Sequence, residues 1–441
     1  MLLPKKRRLS LAGGRTTQRL EEDGLDFRHS EKALEMRTRL QGFMESHILP
    51  RMTDWREEVA RGGYPVSFMA SLKDLARTQG LWNLFLPGLR ADEPGTPLTN
   101  IEYAPLAEVM GRVSWASEVF NCSAPDTGNM ELLHLFATDG QRHTWLLPLL
   151  EGRIRSAFGM TEPDVASSDA TNIQTTIERT ASGWVINGRK WYITNASHPD
   201  CRLLIVMGKT SPSAERHRQQ SMVLVPMDAP GVEVLRNVTV MHHHSPHGHC
   251  EIRLHNVCVP ADNLLGEEGG GFAMAQARLG PGRVHHCMRC IGQAELAIEL
   301  LVERAKDRRT FGRPLVEHGI VMDWIAESRL EIEQARLLVL KTAWMLDTVG
   351  AEGAGREIAL IKALVPRMLT QVADRAMQVF GAMGTGPDTP LAEIWTEGRA
   401  LRIADGPDEV HRRTIARLEV AASRTRRQAS SAYLFAPGSN E

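Results

Sequence analysis

Residues 403–411 read IADGPDEVH and place three carboxylates, Asp405, Asp408 and Glu409, within five positions beside a Gly-Pro turn. Acids at a helix start are favoured by the positive end of its dipole, and Pro407 suits a first helical turn. A carboxylate in such a turn can also serve as a general base, if a substrate proton is brought within its reach. Residue type alone leaves both readings open for each acid.

Other stretches carry chemistry of different kinds. MHHHSPHGHC (241–250) holds His242, His243, His244, His247 and His249 next to Cys250. Histidine and cysteine ligate zinc, but consecutive histidines cannot all face one ion, and a polar loop is the default. CMRC (287–290) is a lone CxxC inside a helical pattern, which reads as two buried thiols rather than a metal or redox pair. No metal is expected. AFGMTEP (157–163) and GRKWYITNAS (188–197) end or form short strands. Together they can set Thr161, Tyr192 and Thr194 side by side, as a flat hydrogen-bonding ring would require. Arg308 and Arg309 in DRRTFGRPL (307–315) can meet a phosphate or end a helix against its own dipole. Gly381, Gly384 and Gly386 in QVFGAMGTG (378–386) can end a helix or let backbone N–H groups approach a pyrophosphate.

Three zones of different period must position these groups. Residues 30–152 carry apolar positions at helical spacing, such as Phe68, Leu72, Leu75 and Ala76. Residues 154–260 switch to short, often alternating runs with turn signals at Ser182-Gly183 and Asn187-Gly188, which predicts seven strands in a compact β domain with a hairpin at Asn187-Gly188. The helical period then returns over 272–308, 315–349 and 356–380, predicting an antiparallel bundle. The boundaries expected are a basic tail at 1–27, a helical domain at 28–153, a β domain at 154–268, a helical bundle at 269–424 and a second tail at 425–441. The first tail carries Lys5, Lys6, Arg7, Arg8, Arg15 and Arg19, and reads as a disordered tail or a weak organellar presequence.

Bulk properties exclude several classes. A net charge of −1 makes no electrostatic case for nucleic acid. No run of roughly eighteen apolar residues suggests a membrane span. No G-x-G-x-x-G follows a strand and no Walker motif is present, so a nucleotide cofactor must be held in another way.

MTEP, WYITN, DRRTFGRPL, QVFGAMG and the acidic loop, in this order and spacing, resemble the acyl-CoA dehydrogenase family from about residue 30 to 420. GPGRVHHCMRCIG paired with ADGPDEVH looks most like the branch of family members ten and eleven. The resemblance implies a mainly α fold with a central β domain: an N-terminal helical domain, a middle β barrel and a C-terminal four-helix bundle. It implies FAD as cofactor, an acyl-CoA substrate, an electron-transfer flavoprotein as acceptor and a role in fatty acid β-oxidation. It further implies a homodimer or homotetramer with FAD at the subunit interface. A bacterial cytoplasmic protein is expected, with an organelle as the alternative.

Carried over by position, Met160, Thr161, Tyr192 and Thr194 are expected at the flavin, with Thr194 near N5. Tyr192 stands where the family more often has tryptophan. Ser168 is expected at the pyrophosphate or substrate side, although TEPDVASSD runs one residue longer than the usual TEPGAGSD. Arg308, Phe311, Gln378, Gly381 and Gly384 are expected at the FAD of a neighbouring subunit. Arg283 is expected to line the acyl-CoA site, assisting the catalytic carboxylate or positioning the CoA portion, with a structural salt bridge as the alternative; Ala404 and Gly406 are expected to line the site beside the base.

Where the family usually has Tyr-Glu-Gly-Thr, this chain has Ala404, Asp405, Gly406 and Pro407, so the resemblance assigns the α-proton base to Asp405. Some relatives keep the base just before the arginine matching Arg283, but that residue here is Gly282. Asp408 and Glu409 fall to the helix start, with contact to the FAD as the alternative for Glu409. The chemistry implied is loss of an α proton to Asp405 and of a β hydride to flavin N5, giving a trans-2-enoyl-CoA. The Asp405 N–H and a ribityl hydroxyl of FAD are the expected donors to the thioester carbonyl. Aspartate is shorter than glutamate by roughly 1.5 Å, so its loop must sit closer to the substrate, and Ala404 in place of tyrosine makes room. His285 and His286 fall on the substrate-lining helix, where imidazoles would suit a polar acyl chain. The rival reading on the same fold is a flavoprotein oxidase of the nitroalkane-oxidase kind, acting on a non-CoA substrate. A non-catalytic flavoprotein that binds a partner or nucleic acid is disfavoured by the near-neutral charge.

Overall fold

The structure is a computed structural model and describes residues 28–423. Both expected tails lie outside the described residues. The N-terminal layer contains helices α1 (Glu31–Phe43), α2 (Met52–Ala60), α3 (Met69–Thr78), α4 (Asn100–Gly111) and α5 (Asp126–Phe136). Two of them start on side-chain caps. Ser30 caps α1 by accepting from the Ala33 N–H at 3.1 Å, and Thr99 with Glu102 forms a reciprocal capping box on α4.

The middle domain is an eight-stranded sheet, in the order β6 (Val232–Asn237), β7 (His249–Pro260), β3 (Gly183–Thr194), β2 (Thr176–Arg179), β4 (Cys201–Lys209), β5 (Gln220–Pro226), β8 (Leu264–Leu265), with β1 (Arg155–Gly159) parallel to β4. Only the pair Thr176–Lys209 joins β2 to β4. The two halves so linked share one core, in which Ile177, Trp184 and Ile252 from one half meet Ala157, Leu204 and Val223 from the other. The expected hairpin at Asn187-Gly188 does not form. Strand β3 runs straight through it with a register shift between Ile186 and Gly188. The Asn187 carboxamide accepts from the Asn256 N–H at 2.7 Å, and Thr175 packs where a Gly188 side chain would stand. The glycine therefore serves a bulge and a close approach, not a turn. Strand β6 carries no buried residue, which is why its alternation was not read from the sequence.

The bundle is built from α6 (Gly271–Asp307), α7 (Gly319–Gly353, interrupted at Gly350 with φ +72°), α8 (Gly355–Phe380), α9 (Leu391–Leu401) and α10 (Asp408–Ser423). Between α6 and α7 the DRRTFGRPL stretch forms a two-stranded hairpin, Arg309–Thr310 against Arg313–Pro314. Helix α6 is the spine of the molecule. Its Gly292 lies against the Glu108 carbonyl, and Gly111 of α4 lies against Arg289, so glycine on both helices lets α4 and α6 cross in backbone contact. Leu106, Met110, Cys287, Cys290, Ile291 and Ala294 are fully or almost fully buried in the core shared by these layers. No helix among the described residues is long and apolar enough to cross a membrane.

A buried charge network fastens the N-terminal layer to the β domain. Glu118 accepts from Tyr64 Oη at 2.7 Å and Lys73 Nζ at 2.9 Å, and pairs with Arg155 at 3.3 Å. Arg155 also pairs with Asp126 at 2.7 Å, and Asp126 accepts from the N–H and hydroxyl of Ser156. Burial would raise the Glu118 carboxyl, but Arg155, Lys73 and His247 reverse that and hold it far below its usual range. A charge group buried this deeply is kept only because each member has partners.

Candidate active site

The loop between α9 and α10 carries Asp405, and its backbone is unusual at two successive residues. Asp405 has φ +55° and Gly406 φ +104°. Aspartate enters the left-handed region at lower cost than most residues with a side chain. At Gly406 a Cβ would stand 2.9 Å from His411 Nε2, so glycine is required there on space as well as on φ. Asp408 and Glu409 open α10 as expected of helix-start acids. Asp408 is buried and accepts from Arg402 Nε at 2.8 Å, closing the loop on itself.

Two cations grip this loop from outside. Lys362 of α8 is fully buried. Its Nζ donates to the carbonyls of Leu401, Ala404 (2.8 Å) and Gly406 (3.5 Å). Arg283 of α6 donates from Nε to the Asp405 carbonyl at 2.8 Å, so it binds the backbone of the expected base rather than its carboxylate. The Asp405 N–H has no partner among the described residues. Ala404 is exposed.

The Asp405 carboxylate is one-quarter exposed and lies 3.6 Å from His286 Nε2. Burial raises its pKa, while nearby His286 and the cations Arg278, Arg283 and Lys362 lower it, and the lowering wins. It stays ionised at neutral pH. On α6, residues 278, 282, 286 and 289 fall on one face at spacings of four, four and three. A Cβ at Gly282 would meet nothing within 4 Å, so this face is open beside Asp405. His285, one position round the helix, is buried edge-on against Phe85 and Tyr103. Burial pushes it down to about 3.

A second group of expected residues meets at the ends of β1 and β3. The Trp191 N–H donates to the Thr161 carbonyl at 3.1 Å. Lys190, fully buried, donates to the carbonyls of Met160 (3.1 Å) and Met207 (2.7 Å) and to Glu162 (2.8 Å). Glu162 also accepts from the N–H groups of Gln174 and Thr175 at 2.7 and 3.0 Å. This knot fixes Met160 and Thr161 against β3 at Lys190 and Trp191, next to Tyr192 in the chain. Tyr192 adopts φ +53° and is 44% exposed, its ring edge-on to Trp191. The Thr194 hydroxyl lies 3.1 Å from His249 Nδ1. Ser168 is exposed on the following loop.

The His cluster divides. His242, His243 and His244 are exposed. His247 meets Tyr64 Oη at 2.5 Å, and His249 meets Thr194. No group of three or more metal-ligating side chains comes together among the described residues. Cys287 and Cys290 are buried, and burial raises both thiols, Cys287 to about 12.

The remaining expected residues lie elsewhere. Arg308, Phe311, Gln378 and Gly381 are exposed, Phe311 at 95%, while Gly384 is buried under Met377 and Phe380. Arg283 and the end of α6 are separated by 24 residues of helix, about 36 Å at 1.5 Å each. The structure does not bring this set to Asp405 within one chain.

The residues not foreseen from the sequence are Lys362, Arg278, Glu162 and Lys190. Lys362 had a signal: it falls on the stripe of Ile358, Val365 and Leu369, where an amphipathic helix would place an apolar residue.

The model of the acyl-CoA dehydrogenase N-terminal domain matches residues 30–153, that of the middle domain 157–257 and that of the C-terminal domain 269–419. The chain belongs to the acyl-CoA dehydrogenase family. Members of this family are FAD-dependent oxidoreductases. The chain is similar to the acyl-CoA dehydrogenase FadE2 of Mycobacterium tuberculosis, 54% identical over 407 residues that cover 91% of this chain and 98% of that protein. It is 49% identical to acyl-CoA dehydrogenase family member 11 of Gallus gallus over 89% of this chain but 51% of that protein, so it spans about half the length of that relative. A solved acyl-CoA dehydrogenase structure from Mycobacterium abscessus superposes with a TM-score of 0.86 at 48% identity, covering 90% of this chain and all of that one. Within the acyl-CoA dehydrogenase frame, the β1–β3 knot belongs to the middle domain and the Asp405 loop to the C-terminal domain.

Proposed function

We propose that this chain dehydrogenates an acyl-CoA thioester between its α and β carbons, with Asp405 as the base that takes the α proton. One observation carries the reading: the Asp405 carboxylate is kept ionised by its cationic neighbours while the N–H of the same residue is unpaired. One residue thus offers both things the chemistry needs. The N–H is a donor for the thioester carbonyl oxygen, which gains negative charge as the α C–H breaks. The carboxylate is a base within reach of the same carbon. Lys362 and Arg283 hold the loop by its carbonyls and so leave the carboxylate free for substrate. They also answer the shortness of aspartate: the loop is fixed in place rather than extended by a longer side chain.

The residues at the β1–β3 edge fit a flavin. A half-exposed tyrosine ring and the Thr194 hydroxyl lie near the end of β3, and the Trp191 N–H ties Thr161 to the same strand; hydroxyl and backbone donors are what a flat heterocycle with carbonyls and ring nitrogens requires. Met160, Thr161, Tyr192 and Thr194 would hold that ring, with Ser168 toward the pyrophosphate or the substrate. FAD, when bound, supplies the acceptor for the hydrogen and electron pair leaving the β carbon. Arg308, Phe311, Gln378, Gly381 and Gly384 would serve the FAD of a neighbouring subunit, a reading supported by their distance from Asp405. Electrons would then pass to an electron-transfer flavoprotein.

The test is oxygen-free mixing of the FAD-loaded protein with acyl-CoAs of four to sixteen carbons, read as flavin bleaching. Wild type bleaches with at least one of them. Asp405→Asn keeps FAD and loses bleaching. Full bleaching in the variant removes Asp405 from the base position, and peroxide formed in air with a non-CoA substrate would instead favour the oxidase.

A further inference from the structure

We propose that His286 is a positioning residue for the Asp405 carboxylate, acting as a neutral imidazole whose tautomer is set by Arg289. The inference rests on the reading of Asp405 as the base and adds a residue to it.

Donor chemistry sets the tautomer. Arg289 NH2 lies 3.2 Å from His286 Nδ1. A guanidinium has donors and no acceptor. Nδ1 must therefore present its lone pair, and the ring proton of the neutral form sits on Nε2. That nitrogen faces Asp405 Oδ2 at 3.6 Å. The order is Arg289 donating to His286 and His286 aimed at Asp405, with all three half-buried.

At 3.6 Å the contact is longer than a hydrogen bond. A catalytic contact of this kind tightens when substrate closes the site. It would then hold one carboxylate oxygen and leave the other for the α proton.

The surroundings decide the charge of the ring. Arg278 and Arg289 share its helix, Lys362 faces it from α8 and Asp405 from the α9–α10 loop. Asp405 in turn is faced by Arg278 and Arg283 of α6 and by Lys362 of α8, with His411 of α10 beside its loop. Burial first, then Arg289, pushes the His286 ring down to about 3. A neutral ring cannot deliver a proton to the carboxylate at physiological pH, so His286 orients the base and does not replace it.

A merely packed histidine would share the burial but not the proton placement. Two measurements separate these cases. In the first, FAD-loaded protein in D2O is given acyl-CoA analogues in which sulfur replaces the β methylene. These can lose an α proton but have no β hydride to give. Exchange of α hydrogen for deuterium is followed by NMR against pH, using the chain length that wild type exchanges fastest. His286→Leu should raise the apparent pKa of the base by about one unit and lower plateau exchange about ten-fold or more. His286→Gln keeps a donor near Nε2 and should stay within about three-fold of wild type. A His286→Leu profile that superimposes on wild type overturns the proposal. If Asp405→Asn also exchanges normally, the base assignment itself has failed. If Asp405→Asn is dead while His286→Leu is normal, only the role of His286 has failed.

The second measurement needs no leucine variant. With 15N-labelled histidine, the His286 signals, identified by their loss in His286→Gln, should show a protonated Nε2 and a bare Nδ1 from pH 8 down to pH 5. The opposite tautomer, or a charged ring at pH 6, overturns the proposal.

Discussion

Lys362 Nζ lies 2.8 Å from the Ala404 carbonyl, and through it a fully buried ammonium on α8 sets the backbone of the loop that carries Asp405. The same nitrogen binds the carbonyl of Leu401, in the last turn of α9. A cation there meets the negative end of the helix dipole, which helps to offset the cost of burying it. Burial lowers the Lys362 pKa, and nearby Asp405 pulls it back up.

Replacing Lys362 by methionine keeps most of the volume and removes the donors. Three carbonyls would lose a buried partner, at a cost of about 2–4 kcal/mol in stability. Thermal unfolding should report that loss. The loop would also loosen around Asp405, the proposed base, so flavin bleaching by acyl-CoA should slow about ten-fold or more with FAD still bound. A variant that loses stability but bleaches at the wild-type rate would show that the clamp serves folding alone.

Glu131 on α5 gives a pH prediction. It is buried, its Oε2 has no partner, and burial raises its pKa from 4.5 to about 8 against a weaker pull from Arg278. The folded chain therefore binds a proton between about pH 4.5 and 8 that the unfolded chain has released. The contribution is fully present below the unfolded pKa and is lost as pH rises through the folded one. At about 1.4 kcal/mol per unit, this amounts to several kcal/mol across the window. Glu131→Gln imitates the protonated acid and should not lose that increment. Melting temperatures at pH 5 and pH 8.5 check it: wild type should fall further than the variant between them, and parallel falls count against a protonated Glu131.

The three zones were legible because each carries its own hydrophobic period, and the three long bundle helices begin and end within a few residues of the expected positions. Asn187-Gly188 misled because the dipeptide that makes a tight turn also suits a bulge, and only the neighbouring Thr175 decides between them. The expectation for Asp405 came from family resemblance. What grips it was not, because Lys362 and Arg283 act through loop carbonyls, which carry no residue-type signature. The histidine cluster is one run in the sequence, yet His247 joins the Glu118 network, His249 joins Thr194, and His242 to His244 are exposed. A sequence run cannot show which way successive side chains of an irregular loop turn.

Phe311 and Arg308 test the shared-flavin reading. Phe311 is 95% exposed and has φ +49°, at the tip of the hairpin between α6 and α7. A large apolar ring held in the left-handed region costs energy on two counts, exposure and backbone strain. Both costs are recovered if a neighbouring subunit covers it. Arg308, three residues earlier and also exposed, would bring a guanidinium to a phosphate in the same contact. Phe311→Ala and Arg308→Ala should therefore weaken FAD retention about ten-fold or more while leaving the fold of a single chain intact. Loss of FAD on dilution should track loss of the oligomer in wild type, since each site would need two chains. Gel filtration read at both 280 and 450 nm distinguishes the outcomes. A monomer that elutes with full flavin absorbance would place FAD within one subunit and leave the exposure of Phe311 without this explanation.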